Sequence, residues 1–147
     1  MSDRLVPLPT GLLTLRIWRA GVQVEYSEQR NLVVAASKPI LAHLLAGDVT
    51  NNSIAQIGFG STITAAAPGN TGLSIDAYTK NLDAITYPVV GKVAFDFSLG
   101  AFEANGQVIA EFGLLTGSGA LFARLVRAAP LTKDLSVTLS ATWTLTF

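Results

Sequence analysis

Leu135-Ser136-Val137-Thr138-Leu139-Ser140-Ala141-Thr142-Trp143-Thr144-Leu145-Thr146-Phe147 carries an apolar residue at every odd position and Ser or Thr at every even one. Strand side chains point alternately to opposite faces, so this spacing predicts one strand with an apolar face and a hydroxyl face. A helix would scatter the same residues around its circumference and bury no stripe. Slipping the register by one residue would turn the whole apolar set outward, so the pairing is tightly specified. The hydroxyl face carries no charge and can meet water, another sheet or a partner subunit.

Upstream, the same period of two recurs in short pieces. Residues 1–11, with Pro7 and Pro9, read as an extended N-terminal arm. Leu13, Leu15 and Ile17 alternate with Thr14, Arg16 and Trp18, and Ala20-Gly21 signals a tight turn into Val22–Tyr26, giving a hairpin. Leu32–Val34 reads as a short strand. A helix comes next, with Ser37 as cap, Pro39 in the first turn, Ile40, Leu41, Leu44 and Leu45 as apolar stripe, and Gly47 as stop. Further strands are expected at Ile54–Phe59, Leu82–Tyr87, Val93–Leu99, Val108–Leu115 and Leu121–Val126, with Asn105-Gly106 as a hairpin signal. Residues 61–76, centred on Ala66-Ala67-Pro68-Gly69-Asn70, form a long turn-rich loop of the kind that is functional or mobile. Its deletion is expected to leave the fold intact. The fold class is mainly β, an antiparallel sandwich or partly open barrel of about eight strands with one short α-helix, in a single domain over 1–147.

Half of the residues are hydrophobic, yet only 14% are charged, against about 25% in ordinary soluble domains. Membrane residence or burial against other chains accounts for such a balance. No run approaches ~18 consecutive apolar residues, so no transmembrane helix is expected, and Met-Ser-Asp-Arg leads into no secretory signal. Assembly with other chains is the better explanation. Ten basic and ten acidic residues, with no basic cluster, give no footprint for nucleic acid. Absence of cysteine removes disulfides, thiolate nucleophiles and Cys-ligated metals.

Catalytic templates fail one by one. His43 is the single histidine, on the helix beside Leu44, with no acidic ligands at metal-binding spacing, and no Gly-x-Ser-x-Gly elbow is present. Gly58-Phe59-Gly60-Ser61-Thr62-Ile63 departs from the dinucleotide fingerprint at its last position, and Gly91-Lys92 lacks the rest of a phosphate loop. Glu111, among Ile109, Ala110, Phe112 and Leu114, must sit on a wet face or be paired. Arg124, across the Gly117-Ser118-Gly119 turn, is its natural partner, with Lys133 second, as a structural ion pair. No enzyme activity, cofactor or metal is expected.

Val108-Ile109-Ala110-Glu111-Phe112-Gly113-Leu114-Leu115, then Gly119-Ala120-Leu121-Phe122-Ala123-Arg124, Lys133 and Trp143-Thr144-Leu145-Thr146-Phe147 resemble small β modules of bacteriophage tail-fibre and baseplate-type virion proteins. Those carry I-x-E-x-G-L, then L-F/I-A-R, then K, then an alternating strand. Asn31-Leu32-Val33-Val34, Leu44-Leu45-Ala46-Gly47 and Ile57-Gly58-Phe59-Gly60-Ser61-Thr62 match their usual order, so the likeness covers about 31–147, with Phe112 where Ile or Val is more usual. The resemblance implies a non-enzymatic virion component of the tail or baseplate, made in the host cytoplasm. It also implies a homo-oligomer, often a trimer, partnered by other virion proteins, with no nucleic acid or membrane partner. A capsid decoration protein is the alternative. One of another class is a carbohydrate-binding module stacking sugars on Trp18, Tyr26, Tyr78 or Tyr87. Within the assembly reading, the expected interface residues are Trp18, Tyr26, Phe59, Ile63, Pro68 and Trp143, carried by the 13–26 hairpin, the 61–76 loop and neighbouring strands.

Overall fold

The computed structural model describes residues 8–147, so residues 1–7 of the expected arm lie outside the described residues. Thr10 and Gly11 already belong to the first strand. The elements are β1 (Thr10–Arg19), β2 (Val22–Val33), α1 (Ser37–Leu45), β3 (Ile54–Gly60), β4 (Tyr78–Asn81), β5 (Ala84–Thr86), β6 (Lys92–Leu99), β7 (Val108–Thr116), β8 (Leu121–Thr132) and β9 (Val137–Thr146). They form one antiparallel sheet in the order β4-β3-β7-β8-β2-β1-β9-β6-β5, curled into a half-barrel. The mainly-β, partly open architecture is the expected one, with nine strands among the described residues instead of about eight.

β9 lies at the centre of its half of the sheet, between β1 and β6, with Trp143 opposite both Leu13 and Phe95. Its odd residues from Val137 to Leu145 are buried and its Ser and Thr residues half-buried, as the alternation dictates. The curl brings the two halves of the sheet face to face. Phe59 of β3 and Phe112 of β7 meet Phe97 of β6 at ring-centroid distances of 5.8 and 6.0 Å, and each other at 5.6 Å. Tilted and edge-on aromatic pairs of this kind add about 0.5–1.5 kcal/mol each beyond area burial.

Several local expectations are corrected. Residues 82–87 do not form one strand. β4 and β5 are the two opposite end strands of the sheet, and Leu82-Asp83 carries the chain from one to the other. The Leu82 N–H donates to Ala55 O at 3.1 Å on the β3 side and the Asp83 N–H to Asp96 O at 2.8 Å on the β6 side. The edges are laced at this corner by Lys80, whose Nζ donates to Ser98 O at 2.8 Å and to Glu103 at 2.9 Å. Asn105-Gly106 does not join a hairpin, because β6 pairs with β5 and β9 whereas β7 pairs with β3 and β8. Instead the Gly106 N–H donates to Lys133 O at 2.9 Å. Ser37 does not cap α1. Ala36 holds that position, and the Ser37 side chain is turned inward, with its Oγ bonded to no protein group.

β2 runs unbroken to Val33 and joins the two halves, pairing with β1 along its length and with β8 only at Leu32↔Arg124 and Val33↔Ala123. A β-bulge opposite Ile17/Trp18 breaks its alternation. Below the bulge its inward positions, opposite Ile17, Leu15, Leu13 and Gly11, are Glu25, Ser27, Gln29 and Asn31. Val22, Val24 and Tyr26 are exposed. The hairpin turn holds Ala20 and Gly21 at φ of 49° and 79°, the positive values a two-residue type I′ turn requires. An L-residue other than Asn, Asp or Gly is strained there. Ala20→Asn is therefore expected to raise stability by about 0.5–1 kcal/mol, seen as a higher urea midpoint at constant slope. An unchanged or lower midpoint would count against a strained turn.

Candidate functional site

β7 is buried on both faces. A register shift between Ile109 and Glu111 places Ile109, Phe112 and Leu114 toward the core and Glu111, Gly113 and Leu115 toward the opposite side. That opposite side is covered by the 61–76 loop. Glu111 is 0% and Arg124 2% exposed, and Arg124 Nε donates to Glu111 Oε1 at 2.9 Å. The pair then organises the loop. Glu111 Oε2 accepts the N–H groups of Thr62 at 3.0 Å and Ser74 at 2.9 Å. Arg124 donates to Asn70 Oδ1 at 3.0 Å and Thr64 O at 2.8 Å. Both ends and the middle of the loop are thus held by one ion pair.

Packing completes the attachment. Leu73 drops into a notch left by Gly58 and Gly113, and a Cβ on Gly113 would lie 2.9 Å from its methyl groups. A Cβ on Gly60 would collide with the Glu111 carboxylate. These glycines are small because a side chain and a loop approach the sheet there, not because of their φ values. The loop is therefore a fixed cover over the β3-β7-β8 face, and the expectation that it can be deleted without harm is corrected. Removing it would strip Glu111 and Arg124 of four partners and open them to solvent.

Burial alone would push the Glu111 carboxyl up. The hydrogen bonds from Arg124, Ser74 and Thr62 outweigh it and hold the group below the usual carboxylate range. Lys133 does not join this pair. Its Nζ, on a fully buried side chain, donates to Asn105 Oδ1 at 2.9 Å, Asp134 O at 3.0 Å and Ala101 O at 3.4 Å. It ties the β6–β7 connection to the start of the final strand. Burial lowers its pKa, with Asp134 and Glu103 opposing. Sequence spacing could not separate these two sites, because the acceptors of Lys133 are mostly backbone carbonyls.

The expected interface residues divide. Tyr26, Ile63 and Pro68 are exposed and Trp18 is half-buried. Phe59 and Trp143 are fully buried, which removes them from any interface of the folded chain. Phe59 belongs to the aromatic core, and the Trp143 Nε1–H donates to Asn31 Oδ1 at 2.9 Å. Of the candidate sugar-stacking residues, Tyr87 is exposed on the edge, while Tyr26 lies under the Arg16 guanidinium at 5.0 Å. His43 sits exposed on α1, its Nδ1 2.8 Å from Asp48.

The split between β2 and β8 opens a pocket of about 220 Å³ over Leu13, Leu15, Phe112 and Leu125. Arg127 bridges it to Glu25 through two bonds of 3.1 Å, and Gln29 Nε2 donates to Val126 O at 2.7 Å. Side chains thus close the seam where backbone pairing ends. Every charged group on its rim is paired, which leaves no free base or nucleophile there. Among the described residues no group of three or more His, Cys, Asp or Glu could hold a metal. No helix of the described residues is long and apolar enough to cross a membrane. No protein-family model, curated protein or solved structure matches this chain, so its likeness to phage modules rests on the quoted motifs.

Removing one partner of a buried ion pair leaves the other uncompensated, at a cost of about 3–5 kcal/mol. Glu111→Gln is expected to lose roughly that much stability and to make the 61–76 loop sensitive to limited proteolysis. Because the folded Glu111 pKa lies below its unfolded value, its contribution is complete above the unfolded pKa and fades as pH falls through the folded one. Chemical denaturation of wild type and variant should show a constant gap from pH 7 to about 5 that narrows in acid. A gap that widens on acidification would contradict this account.

Proposed function

We propose that this chain is a non-enzymatic structural component of a bacteriophage virion, a tail or baseplate assembly protein that acts by packing against other chains. The observation that carries the reading is the reversed polarity of β2. Its inward positions Glu25, Ser27, Gln29 and Asn31 are polar, while Val22, Val24 and Tyr26 are exposed. A strand in an isolated domain places these groups the other way round, and exposed apolar side chains of this kind mark contact surfaces. The low charge content supports the same reading, because interface cores are depleted in charged residues. The paired seam and the buried Glu111–Arg124 network are structural wiring, so the sites with chemistry are already occupied by their own partners.

Immunogold labelling of purified particles with an antibody to this chain is expected to mark the tail or its tip. Label over the head would shift the assignment to capsid decoration, and no label on any particle would sink the virion assignment. Val24→Lys with Tyr26→Lys is expected to leave thermal unfolding unchanged, since both residues are exposed, and to reduce incorporation into particles at least tenfold. Normal incorporation of that variant would show that the hairpin surface is not a contact.

A further inference from the structure

The end of the half-barrel where β5 forms the sheet edge is the second uncovered apolar surface. A groove of about 200 Å³ runs between α1 and β5, with core residues Phe95, Phe122 and Leu145 at its floor. Ile85, Tyr87 and Phe147 form its exposed rim, and Val89 and Val90 stand on the adjoining β5–β6 turn. This turn is tied to the groove by the Phe147 N–H, which donates to Gly91 O at 2.9 Å. Tyr87 is 78% and Phe147 68% exposed. At roughly 100–200 Å² apiece, these five side chains present on the order of 700 Å², close to the ~800 Å² one partner contributes to a standard interface.

β5 is also an end strand, and its outer edge has no neighbour in the sheet. Natural edges are guarded by charges, bulges or covering elements. Ala84-Ile85-Thr86-Tyr87-Pro88-Val89-Val90-Gly91 carries no charge at all, and Pro88 lies beyond the paired residues. A twofold contact brings like residues together at its axis, so charges there would repel their own copies. An uncharged, apolar stretch meets that requirement.

We propose that β5 pairs antiparallel with β5 of a second copy of this chain across a twofold axis at Ile85, with Tyr87, Val90 and Phe147 packed against the partner. This deepens the assembly reading above and rests on it. Ala84 then stands opposite Thr86 of the other copy, and the two four-strand halves that end at β5 become one continuous sheet across the dimer. The occupant of the groove is the second copy's own rim.

Sedimentation velocity of the full chain is expected to show a species of twice 15.4 kDa. Tyr87→Lys with Val90→Lys, both at exposed positions, should weaken association at least ~100-fold by setting like charges together. Ile75→Lys, equally exposed but on the 61–76 loop, should leave it unchanged. Because the chain has no cysteine, Ile85→Cys gives a single thiol, which under mild oxidation should link the two copies. Directly opposed antiparallel residues lie about 4.5–5.5 Å apart, within disulfide reach. A monomer at all concentrations, a dimer that survives the double Lys variant, or a dimer that Ile85→Cys fails to link would each overturn the proposal. A monomeric chain that still labels particles would overturn this dimer and leave the virion reading intact, whereas a dimer found in no particle would do the reverse.

Discussion

The Glu111–Arg124 ion pair is the constraint on which the second layer of this protein depends. Two charges taken out of water are costly unless every remaining donor and acceptor finds a partner. Here the partners come from backbone groups at Thr62, Thr64 and Ser74 and from the Asn70 side chain. The loop has little periodic apolar content to fold it, and the sheet face beneath it is interrupted by glycines. Each supplies what the other lacks. The pair fixes the loop, the loop excludes water from the pair, and Leu73 fills the space the glycines leave.

A different solution operates on the other side of the sheet. There the β2–β8 seam has lost backbone pairing below Leu32, and Glu25, Gln29 and Arg127 span the gap with side-chain bonds. Such bridges hold two strands at a spacing the ladder would not allow, and they explain why β2 has polar residues on the side facing the core. Its apolar residues are thereby released to the exterior, where they serve contacts with other chains.

Legibility in the sequence followed the range of the interaction. The alternation of β9, the Ala20-Gly21 turn and the Glu111–Arg124 pairing across a short hairpin were all readable, because each is set by residues close together in the chain. Bulges were not, since one extra residue at Val24 or Ala110 leaves no mark in a period-two pattern yet inverts the face of every later residue in the strand. The crossing at Leu82-Asp83 was invisible for a related reason: its two residues bond to strands on opposite edges, and neither edge is local. Phe59 was placed at an interface because its Gly-Phe-Gly setting resembles a loop, whereas those glycines make room for Leu73 and Glu111 on one face while Phe59 fills the core on the other. The 61–76 loop read as detachable because the charge that anchors it lies at least 35 residues further on.

The central position of β9 also sets the order in which the chain can be completed. Leu13 of β1 meets Trp143, which is 130 positions later in the chain (143 − 13). At ribosomal speeds of about 5–20 residues per second, the inner face of β1 waits on the order of ten seconds for its neighbour. During that interval the β1–β2 hairpin can form alone, but Leu13, Leu15 and Ile17 stay uncovered. Contacts of such long sequence separation make folding slow and leave nascent chains prone to pairing with one another. The hydroxyl-bearing face of β9 lowers that hazard in one respect, since half of the last strand is soluble while it searches for its slot.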